Sequence, residues 1–218
     1  MPYKLSPTKI NLFIECPRCF WLDLHKEWSR PAGIFPSLPS GMDKILKEHF
    51  DRFIGKSLPP EICSNGECEG MRLFGEGKEK ALLDDWRNNF RGIRHEDKEK
   101  NVLFGAIDNI LVKGKKLVVL DYKTRGYPLK EDTHEHYQLQ LDMYTYLLRE
   151  NGYKTEDYSF LLFYYPDKVM PTGEILFETR LVKMKVDPEH ADKVFKDALK
   201  CLEGEKPGKG CGWCKLVK

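Results

Sequence analysis

An acidic residue followed two places later by a lysine, in a β-rich stretch near the middle of the chain, constrains the fold more than any other feature. Two runs of β-forming residues, 102–112 and 117–122, are separated by a glycine with lysines on both sides. This pattern predicts a β-hairpin. Because side chains alternate between the faces of a strand, Asp121 and Lys123 point the same way, and Asp108 on the partner strand can reach the same place. The sequence therefore predicts two carboxylates and an amine at one edge of a sheet.

Two carboxylates beside a lysine suit a hard divalent cation. Mg²⁺ takes oxygen ligands, usually keeps several waters, and needs only one or two carboxylates in addition to phosphate oxygens. A cation held in this way polarises a phosphoryl oxygen and lowers the pKa of a bound water, which a nearby lysine can orient. The alternative is that Asp121 and Lys123 form a surface ion pair on an ordinary hairpin.

The composition is that of a globular protein in a reducing compartment. The chain has 218 residues, of which 41% are hydrophobic and 32% charged, and its formal net charge is +2. These values suit one soluble domain with a small annex and do not by themselves indicate a nucleic-acid-binding surface. No apolar run is long enough to span a membrane, and the first residues do not resemble a signal peptide. Seven cysteines without a secretion signal therefore predict a cytoplasmic protein whose paired cysteines bind a metal or a cluster.

The rest of the chain alternates between helical and strand patterns. Helices are predicted from Ser6–Pro7 onward and over 41–54, 76–90, 134–150 and 187–202, strands over 159–165 and 174–186, and loops over 29–40 and 125–133. Strands followed by a helix and further strands indicate an α/β fold, with a mixed sheet and helices packed on it.

Two CxxC pairs lie at opposite ends of the chain, Cys16 with Cys19 and Cys211 with Cys214. Each pair can chelate one ion, and together they supply the four thiolates of a zinc site or a 4Fe–4S cluster. The spacing alone favours zinc, and four unligated thiols are the remaining alternative. Of the other cysteines, we expect surface thiols at Cys63 and Cys68, with a second ion site as the alternative, and a small core residue at Cys201.

Three segments in order resemble a known nuclease family: Gly105-x-x-Asp108, then Asp121-Tyr122-Lys123-Thr124, then Gln140-x-x-x-Tyr144. They resemble the RecB-like branch of the PD-(D/E)XK nucleases, and within it the small CRISPR-associated RecB-type exonucleases. The resemblance runs from Leu5 to the C-terminal cysteines. It implies a restriction-endonuclease-like mixed central sheet flanked by helices, in one domain over 1–218. It also implies a core of about 70–186 and an annex, formed by 6–54 and 187–218, joined at a four-cysteine metal site.

The resemblance also implies roles for individual residues. Asp108 and Asp121 would ligate Mg²⁺ or Mn²⁺, helped by the backbone carbonyl of Tyr122, and Lys123 would position the attacking water. Gln140 and Tyr144, one helical turn apart, would hold the active-site loop or touch the substrate. The alternative is an exposed glutamine and a core tyrosine. At Gly105, the resemblance implies close approach of DNA or of a neighbouring backbone, with a β-bulge as the alternative.

The chain departs from the family in an early helix, where many relatives carry a metal-ligating histidine shortly after a glycine. Here Gly41 is followed by Asp43 and no histidine until His49. Asp43 is the candidate replacement ligand, and His49 is expected on the solvated face. The departure keeps open a second hypothesis, a catalytically weak or inactive, metal-stabilised nucleic-acid-binding or scaffold module.

The cysteine pattern also departs from the family. Iron–sulfur relatives use one early cysteine, in a context like Cys16-Pro17-Arg18, and three late ones. This chain has two early and two late cysteines, so Cys19 would complete the set. The resemblance favours a 4Fe–4S cluster, whereas the spacing favours zinc. A third function hypothesis is a zinc-binding protein without a site on the hairpin.

The leading hypothesis is a metal-dependent DNA exonuclease that acts on single-stranded ends. Basic residues could line a phosphate path, with a solvated charged face as the alternative; they are Arg91, Arg94, Lys98, Lys100, Lys113, Lys115, Lys116, Arg125 and Lys130. Tyr127, Trp86 and Phe90 could stack on bases, although the last two are expected in the core. The chain carries no helicase P-loop, so a helicase or a CRISPR or repair protein is the expected partner.

Overall fold

The computed structural model describes residues 2–33, 36–63, 66–214 and 217, and within them the chain forms eight strands and seven α-helices. The strands are β1 (Lys4–Leu5), β2 (Met71–Leu73), β3 (Ile93–Glu96), β4 (Val102–Gly105), β5 (Asn109–Lys113), β6 (Lys116–Thr124), β7 (Tyr158–Val169) and β8 (Ile175–Lys185). The helices are α1 (Pro7–Glu15), α2 (Pro17–Leu24), α3 (Ser37–Asp51), α4 (Pro60–Cys63), α5 (Glu79–Trp86), α6 (Gln138–Glu150) and α7 (Pro188–Glu203). None of the described helices combines the length and the apolar character needed to cross a membrane.

The strands form two mixed sheets. The larger has the order β2-β5-β6-β7-β8, in which β6 and β7 are parallel and the other neighbours are antiparallel. A parallel pair needs a crossover connection, and α6 supplies it. The smaller sheet has the order β1-β4-β3. Mixed sheets flanked by helices confirm the predicted fold class, although the smaller sheet is not predicted by the sequence.

The β-rich stretch 102–112 is two strands rather than one. The predicted hairpin exists as β5 and β6, joined at the Gly114 turn, but β4 belongs to the smaller sheet. The segment 106–108, between β4 and β5, hydrogen-bonds to the C-terminal end of α5. The Ile107 N–H donates to the Trp86 carbonyl at 2.9 Å, and Arg87 Nε donates to the Asp108 carbonyl at 2.7 Å. Asp108 therefore lies just before β5 and not within a strand.

Two predicted helices have different limits in the structure. α3 begins at Ser37, inside the predicted loop 29–40, because Pro39 falls in the first turn, where its missing N–H is not needed. α5 ends at Trp86, since the Asn88 side chain accepts hydrogen bonds from the N–H groups of Phe90 and of the next residue and so forms a turn. The prediction that Phe90 lies in the core is consequently wrong, as this residue is 85% exposed. Trp86 is buried, as predicted.

α6 is buried almost all round. A 3₁₀ turn, Thr133–Tyr137, replaces the first turn of the helix predicted over 134–150, and α6 proper begins at Gln138. From Leu139 to Leu148 every residue except Gln140 is buried, because β6, the smaller sheet and α7 pack around the helix. The position of this helix against the sheet is therefore tightly defined by packing.

Glu79 fixes the turn from β2 into α5. Its carboxylate accepts hydrogen bonds from Arg72 Nη1 and Nη2 at 2.8 and 2.7 Å and from the backbone N–H of Gly75 at 3.0 Å. The bidentate guanidinium is the main reason that the pKa of Glu79 falls from 4.5 to about 2. The turn thus depends on the ionised form of this side chain.

We expect Glu79→Gln to lower the free energy of unfolding by about 1–3 kcal/mol at pH 7, because it removes charge-assisted hydrogen bonds. A carboxyl whose pKa is lowered by folding stabilises the protein above its unfolded pKa and ceases to do so as pH falls through the folded value. The difference between wild type and variant in urea denaturation should therefore shrink between pH 4.5 and about 2. An equal difference at pH 7 and pH 3 would contradict this role.

Candidate active site and four-cysteine centre

A cavity of about 510 Å³ opens at the end of β6, and its wall includes all five predicted catalytic side chains: Asp108, Asp121, Lys123, Gln140 and Tyr144. They come from the segment before β5, from β6 and from α6. Asp43 of α3, the candidate replacement for the missing histidine, lines the same cavity. The structure therefore brings together residues that are up to about 100 positions apart in the sequence.

Strand alternation places the β6 residues as the sequence predicts. Lys123 Nζ lies 2.6 Å from Asp121 Oδ2 on one face. Tyr122 turns to the other face, where its ring stacks on Phe50 with 5.4 Å between centroids. Only the backbone of Tyr122 is thus available to the cavity, which suits the predicted role of its carbonyl as a ligand.

Asp108 faces Asp121 from the neighbouring segment. The β5–β6 register pairs Asn109 with Leu120. Because the strands are antiparallel, Asp108, which precedes Asn109, lies opposite Asp121, which follows Leu120. The Tyr122 N–H donates to Asp108 Oδ2 at 3.4 Å. Burial, together with the nearby Asp121 carboxylate, raises the pKa of Asp108 to about 7. The two carboxylates are thus close enough to repel each other.

The donor set fits a divalent cation. Asp121 is 1% exposed, and its Oδ2 atom lies 2.6 Å from Lys123 Nζ. Its Oδ1 atom receives only a long contact of 3.5 Å from Gln140 Nε2. Burial alone would lower the pKa of Lys123, but the carboxylates of Asp121 and Asp108 raise it. Two buried carboxylates this close repel each other, and a bound divalent cation would offset that repulsion.

Gln140 and Tyr144 act as a pair on α6. Gln140 Nε2 donates to the Tyr144 hydroxyl at 2.7 Å, as their spacing of one helical turn allows. Tyr144 is 4% exposed, so it is a core residue as well as a wall of the cavity. Gly105 is regularly paired with Ile93, and a Cβ at this glycine would lie 2.5 Å from the Tyr144 ring. Glycine is therefore required at position 105 because the Tyr144 ring lies against it.

Two further side chains, not predicted from the sequence, contact the site residues. Lys47 of α3 lies 2.8 Å from Asp43 Oδ2 and 3.5 Å from Asp108 Oδ1. Arg87, 8% exposed, binds the Asp108 carbonyl and places Nη1 2.7 Å from Asp51 Oδ1, thereby tying α3 to the segment that carries Asp108. The contact between Asp43 and Lys47 could have been predicted from their spacing of four residues on one helix. No sequence pattern links Arg87 to its partners.

His49 does not line the cavity. It is half-buried rather than on a freely solvated face, and its Nε2 atom lies 2.7 Å from Glu61 Oε1. Glu61 also accepts a hydrogen bond from the Tyr164 hydroxyl at 2.9 Å. This network lies on the face of the sheet occupied by Phe50, away from the carboxylates.

Some predicted substrate contacts are far from the cavity. The lysines of the hairpin turn lie between the end of β5 and the start of β6. Lys116 is five residues, or about 17 Å, from Asp121. Lys116 is 3.3 Å from Glu156, and Arg91 is 2.9 Å from Asp85. These pairings support the alternative of a solvated charged face for those residues.

The four cysteines of the CxxC pairs meet at a second centre. Their sulfur atoms all lie within 4.8 Å of one another. The Cys16–Cys214 and Cys19–Cys211 sulfur distances are both 3.5 Å. The Cys19 N–H donates to Cys16 Sγ at 3.4 Å, and the corresponding backbone contact from Cys214 lowers the pKa of Cys211 to about 6. This arrangement can bind a metal and joins the N-terminal and C-terminal segments, as predicted.

Arginines and a glycine hold the C-terminal segment against α2. Arg18 Nη1 donates to the Gly208 carbonyl at 3.2 Å, and Arg30 Nη2 lies 3.7 Å from Cys211 Sγ. A Cβ at Gly210 would lie 2.8 Å from that of Cys214, so a larger residue there would push the CxxC turn away. The charge of Arg30 favours the thiolate form of the neighbouring Cys19, but burial is the larger effect and raises the pKa of this thiol well above its usual value.

The remaining cysteines are separate from this centre. Cys63 is exposed, as predicted, but the prediction of a surface thiol at Cys68 is wrong, because it is 2% exposed and packs with Ile62 and Met71. Burial is the main reason that the pKa of Cys68 rises to about 12. Cys201 is half-buried on α7 and packs against the main core, as expected.

Comparison with protein families identifies the class to which this fold and this cavity belong. The model of the PD-(D/E)XK nuclease superfamily matches residues 4–217, nearly the whole chain. The chain belongs to this superfamily. Comparison with curated proteins finds no match.

Proposed function

We propose that the protein is a metal-dependent deoxyribonuclease that hydrolyses phosphodiester bonds at single-stranded DNA ends. The observation that supports this most strongly is the convergence of Asp108, Asp121 and Lys123 on one cavity, in which Asp121 is almost fully buried. Membership of a nuclease superfamily supports the same reaction class.

We propose a role for each residue that agrees with its position. Asp108 and Asp121, with the Tyr122 carbonyl and Asp43, would hold Mg²⁺ or Mn²⁺. When bound, the ion would polarise a phosphoryl oxygen of the DNA and lower the pKa of a water molecule that it binds. Lys123 keeps its proton, because two carboxylates raise its pKa, and it orients the attacking water by donating a hydrogen bond.

The helical pair supports these groups. Gln140 bridges Asp121 and the Tyr144 hydroxyl, so it restrains the carboxylate in the orientation that a ligand needs. Arg87 holds the backbone of Asp108 from the other side. Pre-organisation of this kind lowers the cost of assembling the site when DNA binds.

Single-stranded DNA is the favoured substrate because exposed aromatic side chains can stack on unpaired bases. Phe90 is 85% exposed and Tyr127 is 80% exposed. The chain has no P-loop, so we propose that a helicase or another CRISPR or repair protein supplies unwound ends in the cytoplasm.

The four-cysteine centre is proposed to hold a structural metal. Four thiolates at 2.3 Å around one Zn²⁺ form a tetrahedron with edges of about 3.8 Å. The Cys16–Cys214 and Cys211–Cys214 sulfur distances, 3.5 and 3.9 Å, are close to this value. The Cys19–Cys214 distance, 2.8 Å, is shorter than the edge of such a tetrahedron. In a 4Fe–4S cluster each thiolate binds a different iron, which holds the sulfurs further apart. The sulfur positions thus support zinc, and the family resemblance supports the cluster.

The proposed activity is tested by incubating the purified protein with end-labelled linear single-stranded DNA and with circular single-stranded DNA of the same length. With Mg²⁺ or Mn²⁺ we expect the linear strand to be shortened from its ends and the circle to survive, and a chelator should stop the reaction. Cleavage of the circle would instead indicate an endonuclease. Binding of DNA without cleavage in any divalent ion would favour the scaffold module.

A further inference from the structure

Lys47 contacts two carboxylates at the candidate metal site. Its Nζ atom lies 2.8 Å from Asp43 Oδ2 and 3.5 Å from Asp108 Oδ1. The first contact follows from helical spacing, since residues four apart share a face of α3. The second reaches across to the large sheet, and the side chain is only 22% exposed. Lys47 therefore bridges the helix and the sheet inside the cavity.

Two ammonium groups thus share the three carboxylates of this cavity. Lys123 pairs with Asp121 at 2.6 Å, while Lys47 pairs with Asp43 and Asp108. A divalent cation bound through Asp108 would lie close to the Lys47 ammonium, and like charges at such a distance repel strongly when water is largely excluded. Asp43 also cannot offer Oδ2 to a cation while Lys47 occupies it.

The two lysines extend from different elements of the fold. Lys123 extends from a central strand, is 19% exposed, and lies 4.9 Å above the ring of Tyr137. Lys47 extends from a helix at the wall of the cavity, on a flexible four-carbon stem. Rotation about the side-chain bonds of Lys47 would move its ammonium without disturbing the sheet, because the residue belongs to α3.

We propose that Lys47 is a built-in counter-cation of the site, which a divalent ion must displace from Asp43 and Asp108, and which then binds a phosphate oxygen of the DNA strand. This inference rests on the proposed nuclease function. A lysine ammonium binds phosphate as a compact point charge, which suits a side chain that changes partners. Lys47 would thus make ion binding and strand binding favour each other.

The test measures Mn²⁺ binding to the full-length protein by titration calorimetry. Lys47→Met should bind Mn²⁺ about tenfold more tightly than wild type, because the competing charge is gone. Lys47→Arg should retain the wild-type affinity or weaken it. Lys44→Met is the matched control, since Lys44 is an exposed lysine on the same helix and outside the cavity wall, and it should change nothing. Lys47→Gln serves if the methionine variant does not fold.

Strand binding is measured on the same variants with Ca²⁺ in place of Mn²⁺ and a labelled single-stranded oligonucleotide. Lys47→Met should weaken binding and reduce the slope of log affinity against log salt by about 0.7, the value for one lost phosphate contact. Lys44→Met should keep both values.

The outcomes separate this inference from the proposed function. Mn²⁺ affinity in Lys47→Met and Lys47→Gln that equals or falls below wild type would overturn the counter-cation role. An unchanged salt slope would overturn the phosphate contact. Asp108→Asn that binds Mn²⁺ as wild type does would overturn the metal site itself, and with it the proposed nuclease.

Discussion

Replacement of Lys123 by alanine is expected to reduce DNA cleavage in Mn²⁺ by a factor of about 10²–10⁴, the usual contribution of a group that positions and activates the attacking water. The ammonium lies 2.6 Å from Asp121, and the side chain is 19% exposed, so it is held beside the carboxylate from the central strand β6. DNA binding should survive largely intact, because a single phosphate contact accounts for only part of the affinity. A gel assay on end-labelled DNA and a binding assay in Ca²⁺ measure the two effects separately.

Lys115→Ala is the matched control for this variant. Lys115 is an exposed lysine of the same hairpin, but it lies in the turn at the opposite end of β6. We expect wild-type cleavage from it. Nuclease activity that persists in Lys123→Ala would show that the reaction takes place elsewhere on the molecule, whereas equal losses in both variants would indicate a general effect of removing positive charge.

The sequence predicts the part of the site that depends on local periodicity. Alternation along β6 puts Asp121 and Lys123 on one face, and the helical turn between Gln140 and Tyr144 puts both on the cavity wall. These relations depend on neighbours in the chain, so they can be inferred without knowing the tertiary structure. The contact of Lys47 with Asp108 depends instead on where α3 docks, and nothing in the local sequence determines that.

The fold shows the same division. The hairpin at Gly114 and the helix caps at Ser6 and Asp187 follow from turn and capping chemistry, and the structure contains them. The smaller sheet could not be predicted, because β1 is only two residues long and pairs with β4, which lies about 100 positions later. The exposure of Phe90 was missed for a related reason: the Asn88 turn ends α5 before the apolar pattern does.

The cysteine centre carries the second large expected effect, because it joins the two ends of the chain. We expect Cys211→Ser to remove the bound metal and to lower the free energy of unfolding by about 3 kcal/mol, which corresponds to a fall in melting temperature of about 6–12 °C for a chain of this size. The main core lies elsewhere, so the rest of the protein should stay folded. Metal analysis and thermal melting monitored by circular dichroism measure the two effects.

Cys63→Ser is the control, since Cys63 is exposed and lies outside the four-cysteine group. It should leave both metal content and melting temperature unchanged. One zinc per chain in the wild type would agree with the close sulfur distances, whereas four irons and an absorbance band near ~400 nm would indicate the cluster. Either metal would explain why two segments almost 200 residues apart converge, because the described C-terminal segment contributes little apolar surface of its own beyond the sulfur atoms. A metal-loaded Cys211→Ser variant with the wild-type melting temperature would contradict this role for the centre.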